Sequence, residues 1–164
     1  MSRVIDRYRT LHVQQETLKL YALVDGYQFE QYSGERLPHQ AGINRPVLVG
    51  TEDESLAHAG PWLIDMTEAP EQAEQLEILE QALPSVSWII TSVDLEGLAQ
   101  LMQLKLNVEL PERRPALLRF YDPRVLGNLY HTMNAQQRAD FFYLIDEWHF
   151  MYNGQRVATG RNRA

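Results

Sequence analysis

Apolar residues in this chain gather into short unbroken runs, separated by longer stretches that carry a single apolar face. Five runs predict strands: Leu20-Tyr21-Ala22-Leu23-Val24, Val47-Leu48-Val49, Trp62-Leu63-Ile64, Val86-Ser87-Trp88-Ile89-Ile90 and Ala116-Leu117-Leu118-Arg119-Phe120-Tyr121. Most lack clean alternation, which is what a sheet covered on both faces requires. The stretches between them supply the cover. Val4, Ile5, Tyr8 and Leu11 recur at the spacing of one helix face. Leu76, Leu79 and Leu83 do so within 70–83, where Pro70 suits a first helical turn and Glu71, Glu74, Glu77 and Glu80 stay wet. Leu95, Leu98, Met102 and Leu106 form a third stripe within 94–106, and Thr91 and Ser92 before it offer capping hydroxyls.

The last third reads as mainly helical. Asp122-Pro123 pairs a cap with a first-turn proline ahead of Val125, Leu126, Leu129, Tyr130 and Met133. Asn134-Ala135-Gln136-Gln137 has the form of a capping box, leading into Phe141, Phe142, Ile145 and Trp148. Asn153-Gly154, between Phe150-Met151-Tyr152 and Gln155-Arg156-Val157, suits the type I′ turn of a terminal hairpin. Residues 161–164 are expected to fray. The expected fold class is α/β: a mainly parallel or mixed sheet of about five strands covered by helices, with a helical C-terminal part. The chain is expected to form a single domain over 1–164, with two lobes, 1–106 and 115–164, as the alternative division.

Composition sets outer limits. With 164 residues, 45% apolar and 23% charged, the chain buries roughly 70% of its unfolded surface on folding and is no disordered segment. Absence of cysteine excludes disulfides, thiolate metal sites and thiol nucleophiles. There is no span of about 18 apolar residues, so a cytoplasmic protein with no membrane partner is expected. The net charge of -7 is uneven, because no Lys or Arg lies between Arg45 and Lys105 while eleven acids run from Glu52 to Glu96. Such a region repels phosphate backbones and attracts basic partners, so no nucleic-acid partner is expected; a solvated face that aids solubility is the favoured explanation.

Candidate chemistry centres on Asp25, Asp65 and Asp122, each after an apolar run. At the carboxyl ends of parallel strands they could hold a magnesium ion for phosphoryl or nucleotide chemistry. Each is also a natural turn or helix cap, because Asp accepts backbone N–H groups there. His12, His39, His58, His131 and His149 show no metal-clasping spacing, and no nucleophile elbow or phosphate-cradling glycine loop is present. Arg119, inside an apolar run, is expected to pair with Asp25 or Asp65 as a structural bridge, since an unpaired buried charge is costly. The aromatic crowding from Phe120 to Tyr152 fits a core, or in part a patch for a protein partner.

Three segments in this order, Leu20-Tyr21-Ala22-Leu23-Val24-Asp25-Gly26, Pro61-Trp62-Leu63-Ile64-Asp65-Met66 and Leu118-Arg119-Phe120-Tyr121-Asp122-Pro123-Arg124-Val125-Leu126, with Phe141-Phe142 and Trp148 downstream, resemble the bacterial type VI secretion effector-chaperone, or adaptor, family. The resemblance implies a non-enzymatic adaptor without cofactor or metal, whose partners are a toxic effector and the VgrG spike protein. It points to Arg119, Tyr121, Asp122, Pro123, Arg124, Phe142 and Trp148 as motif or partner-binding positions, and to Asp25 and Asp65 as further hallmark residues. A metal-dependent phosphoesterase or nucleotide-binding enzyme built on the three aspartates is the alternative.

Overall fold

The computed structural model of the chain describes residues 3–160; the fraying expected of 161–164 lies outside them. Helix α1 (Arg3–Gln14) leads into β1 (Lys19–Asp25), α2 (Gly26–Ser33), β2 (Asn44–Pro46), a 3₁₀ segment at Glu54–Ala59 and β3 (Pro61–Asp65). Then come α3 (Ala73–Ala82), β4 (Val86–Thr91), α4 (Leu95–Leu106), the hairpin of β5 (Asn107–Leu110) and β6 (Arg114–Leu117), α5 (Pro123–Thr132), α6 (Ala135–Phe141), β7 (Glu147–Tyr152) and β8 (Gln155–Thr159).

The main sheet has six strands in the order β2-β3-β1-β4-β7-β8, and each neighbouring pair runs antiparallel. This corrects the expected parallel or mixed sheet of about five strands. The strand–helix–strand unit β3-α3-β4 runs its two strands in the same direction without making them neighbours. Strand β1 lies between them and opposes both. Strands β7 and β8 join the same sheet through β4, so the last third supplies strands as well as helices.

Alternation along the strands is hidden because both faces are apolar. Tyr21, Leu23, Leu63, Ile89, Trp148 and Phe150 pack on one side with Leu98 and Met102 of α4, Leu126 of α5, Phe120 and Phe142. Leu20, Ala22, Val24, Trp62, Ile64, Trp88 and Ile90 pack on the other with Val4 of α1, Phe29 of α2, and Leu76 and Leu79 of α3. Each of the larger aliphatic and phenylalanine side chains contributes about 1.5–3 kcal/mol by leaving water. The two-sided sheet is therefore the main source of stability.

Local departures from expectation have local causes. Val47 and Leu48 are core residues in a turn after β2, whose three residues end at Pro46, a residue without an N–H to extend a ladder. Strand β6 stops at Leu117, and Leu118–Tyr121 is irregular. Helix α6 stops at Phe141, the chain turns through Phe142–Leu144 with Leu144 at φ 65, outside the helical region, and it then enters β7. Trp148 is thus a strand residue opposite Ile89. Glu80, expected on the wet face of α3, is 7% exposed. Its carboxylate accepts the Trp88 indole N–H at 2.9 Å and two Arg156 N–H groups at 2.6 and 2.8 Å, which offsets the cost of burial. The expected caps and turn at the C-terminal end are present: the Asn134–Gln137 capping box, and a β7–β8 turn with φ 51 at Asn153 and 76 at Gly154.

Candidate functional site

The end of β1 opens a cleft of about 540 Å³. One wall is Asp25 with Tyr27 and Gln28 from the first turn of α2, and the other runs from Leu117 through Arg119, Tyr121 and Asp122 to Arg124. Leu48, Leu56, Ala59 and Gly60 close the third side. Glycine at position 26 is required here, since a Cβ would lie 2.3 Å from the His58 carbonyl oxygen. That close approach, with the Gly26 N–H donating to the Gly60 carbonyl at 2.8 Å, holds the 54–60 segment against α2.

Each carboxylate in the cleft is locally engaged. Asp25 caps α2, accepting the Tyr27 and Gln28 N–H groups at 3.0 and 3.2 Å and the Gln28 amide at 3.1 Å. Burial raises its pKa above the ordinary carboxylate value, those hydrogen bonds oppose the rise, and the Asp122 charge adds to it. Asp122 caps α5 through the Arg124 N–H at 2.9 Å and is clasped by the Arg124 guanidinium at 2.7 to 3.3 Å. Arg124 is raised by that hydrogen bonding first and by the Asp122 charge second. Burial pushes the Tyr121 phenol up, aided by Asp25 and opposed by Arg119. Arg119 is exposed, and among the described residues no ion pair holds its guanidinium. The expected bridge to Asp25 or Asp65 is therefore not formed: Arg119 sits on the coil after β6, where water solvates its charge and no carboxylate is needed.

Antiparallel pairing separates Asp65 from Asp25 and Asp122, which share the cleft. Asp25 stands opposite Pro61 and Asp65 opposite Tyr21, so the two carboxylates mark opposite ends of β1, about 13 Å apart along the strand. Asp65 instead holds the Thr67 N–H at 2.9 Å and faces the Lys19 ammonium at 3.8 Å. Among the described residues no group of three His, Asp or Glu side chains could hold a metal ion. The magnesium site that the strand ends suggested is not assembled. Pro123 is buried as the first residue of α5. Phe142 and Trp148, at 3% and 0% exposure, belong to the core. Of the motif positions, the cleft collects Asp25, Arg119, Tyr121, Asp122 and Arg124.

A family profile described as a domain of unknown function, DUF4123, matches residues 20–140. The chain belongs to the DUF4123 family. No curated protein and no solved structure matches it. The DUF4123 match opens at β1 and closes in α6, so it contains every residue of the cleft and leaves Trp148 outside. Tyr27, Gln28, Leu48, Leu56 and Leu117 of the cleft were not anticipated. Leu56, an apolar residue in the acidic stretch after Glu52-Asp53-Glu54, and Tyr27, beside the Asp25 cap, were the available signals. Among the described residues no helix is long and apolar enough to cross a membrane.

Proposed function

We propose that this DUF4123 chain is a non-enzymatic cytoplasmic adaptor that binds a type VI secretion effector and promotes its loading onto the VgrG spike. The family match and the motif resemblance support the reading, and the cleft carries it. Its carboxylates are committed to helix caps and to Arg124, which leaves for a ligand the Arg119 cation, unpaired among the described residues, the Tyr27 side chain and the apolar Leu56, the last two more than half exposed at 56% and 53%. A cation framed by an aromatic and aliphatic wall suits a protein segment that brings apolar residues and a carboxylate.

The test is site-specific photocrosslinking from position 119 or 56 in the source bacterium. The expected result is one dominant crosslinked effector that co-purifies with the spike protein, lost when Tyr27→Asp or Leu56→Asp is added. A crosslink pattern unchanged by those substitutions, or containing neither protein, would overturn the reading.

A further inference from the structure

A second surface, on the far side of Trp148 from the sheet, has the marks of a docking groove. Leu101, Leu104 and Lys105 of α4 face Met133, Gln137, Asp140, Phe141 and Tyr143 across an open space of about 430 Å³. Leu104 is 77% exposed and Tyr143 62%, although α4 already buries a full apolar stripe at Leu95, Leu98, Ala99, Met102 and Leu106. Leu101 and Phe141 also pack against the core, but Leu104 and Tyr143 extend the apolar lining outward beyond it. The floor is Phe141, stacked on Trp148 at 6.0 Å between ring centroids.

Lys105 is out of place in such a lining. Its ammonium lies 4.9 Å from the Phe141 ring centroid, and among the described residues no carboxylate pairs with it. Asp140, across the groove, is engaged by the Gln136 amide at 3.0 Å. The turn that presents Tyr143 is held under backbone strain: Leu144 sits at φ 65, a conformation unfavourable for a bulky side chain, while its carbonyl accepts the Thr91 hydroxyl at 2.7 Å.

We propose that this groove docks an apolar segment of a partner protein whose acidic side chain pairs with Lys105. Charge complementarity selects that occupant, because a desolvated cation among leucines and aromatic rings gains most from an incoming carboxylate. Burial already pulls the Lys105 amine down to about 8, and a carboxylate alongside would restore its charge. The groove shares no residue with the Arg119 cleft, so the two sites are separable by mutation.

The experiment is selection of displayed random 16-residue peptides on the full chain, with binding of enriched sequences measured on variants of matched melting temperature. The expected consensus places Asp or Glu within one helical turn of two apolar residues. Binding is expected to weaken at least tenfold in Leu104→Asp and in Lys105→Glu and to be unchanged in Arg119→Glu. Lys105→Glu should in turn prefer peptides whose acid is replaced by Lys. Failure to enrich any sequence, or binding insensitive to Leu104→Asp, overturns the groove. Sensitivity to Leu104→Asp but not to Lys105→Glu overturns the acidic partner. A concentration-dependent dimer in sedimentation, abolished by Leu104→Asp, assigns the face to a second copy of the chain and overturns the proposal as well. Binding lost in Arg119→Glu rather than in Leu104→Asp places the peptides in the cleft and overturns the groove.

Discussion

Trp148 donates its indole N–H to the Ser87 hydroxyl at 3.0 Å across the β4–β7 pairing, and both residues are almost wholly buried. The bond satisfies a donor that would otherwise be stranded between Phe120, Phe141 and Phe142. Ser87→Ala leaves that N–H without a partner and is expected to cost about 1–3 kcal/mol. Urea denaturation followed by tryptophan emission measures it; a midpoint unchanged from the parent would show that the bond is dispensable.

Gly127 reverses a familiar rule. Glycine to alanine in a helix interior ordinarily stabilises by about 1 kcal/mol. In α5, however, a Cβ at position 127 would lie 2.0 Å from the Tyr152 ring, whose hydroxyl donates to Asn128 at 2.6 Å. Gly127→Ala should therefore lower stability, by about 1–3 kcal/mol as Tyr152 is displaced. Pairing it with Tyr152→Ala should restore the usual sign, which thermal unfolding of the four variants would reveal.

Asp25 separates capping from charge. Its folded pKa is raised by burial, so the folded state holds the proton more tightly than the unfolded chain does. Stability from this group is thus fully present below the ordinary carboxylate range and is lost as pH rises through the raised value. Asp25→Asn keeps a capping oxygen and removes the buried charge, so its stability at neutral pH should equal or exceed the parent's and its profile in the acid range should be flatter. Asp25→Ala should lose about 1 kcal/mol with the cap. Denaturation from pH 4 to pH 7 distinguishes the two, and equal losses would refute the assignment of Asp25 as primarily a cap.

Lys105 supplies an alkaline signature. The amine is lowered from 10.5 to about 8 by burial. Below about 8 both states are charged and the folded protein bears the full desolvation cost. Between about 8 and 10.5 the unfolded chain retains a proton that the folded chain has shed, so stability should rise with pH. Lys105→Met should stabilise at pH 7 by on the order of 1–2 kcal/mol, allowing for the solvent that still reaches the amine, and the gain should shrink toward pH 10.5. Asp140 and Tyr143 are the other ionisable groups lining the groove. Stability curves for parent and variant that stay parallel across this range would contradict the shift.

What was legible in the sequence was local. Capping chemistry marks its own place, so Asn134 with Gln137, Asp122 with Pro123 and the Asn153-Gly154 turn could be read directly from neighbouring residues. Strand direction could not be. Leu20–Val24 looks the same whether its neighbours run with it or against it, because both faces of β1 are apolar. The spacing of Phe141, Phe142, Ile145 and Trp148 imitates a helix, and only the left-handed Leu144 and the partner Ile89 show otherwise. For the site, the motif around Arg119-Phe120-Tyr121-Asp122 was visible. The company it keeps, Tyr27 and Leu56 from segments sixty or more residues earlier, is created by tertiary packing that no local pattern announces.

The position of β4 has a consequence for synthesis of the chain. Its inner edge pairs with β1, encoded upstream, while its outer edge waits for β7, which begins only at Glu147. A ribosome must therefore deliver 55 further residues, 92–146, before Val86–Thr91 gains its second neighbour. During that interval a strand made for complete burial offers unpaired N–H and carbonyl groups to any extended peptide nearby. Nascent chains halted before β7 should be the form that aggregates, and the closing hairpin is what ends the exposure.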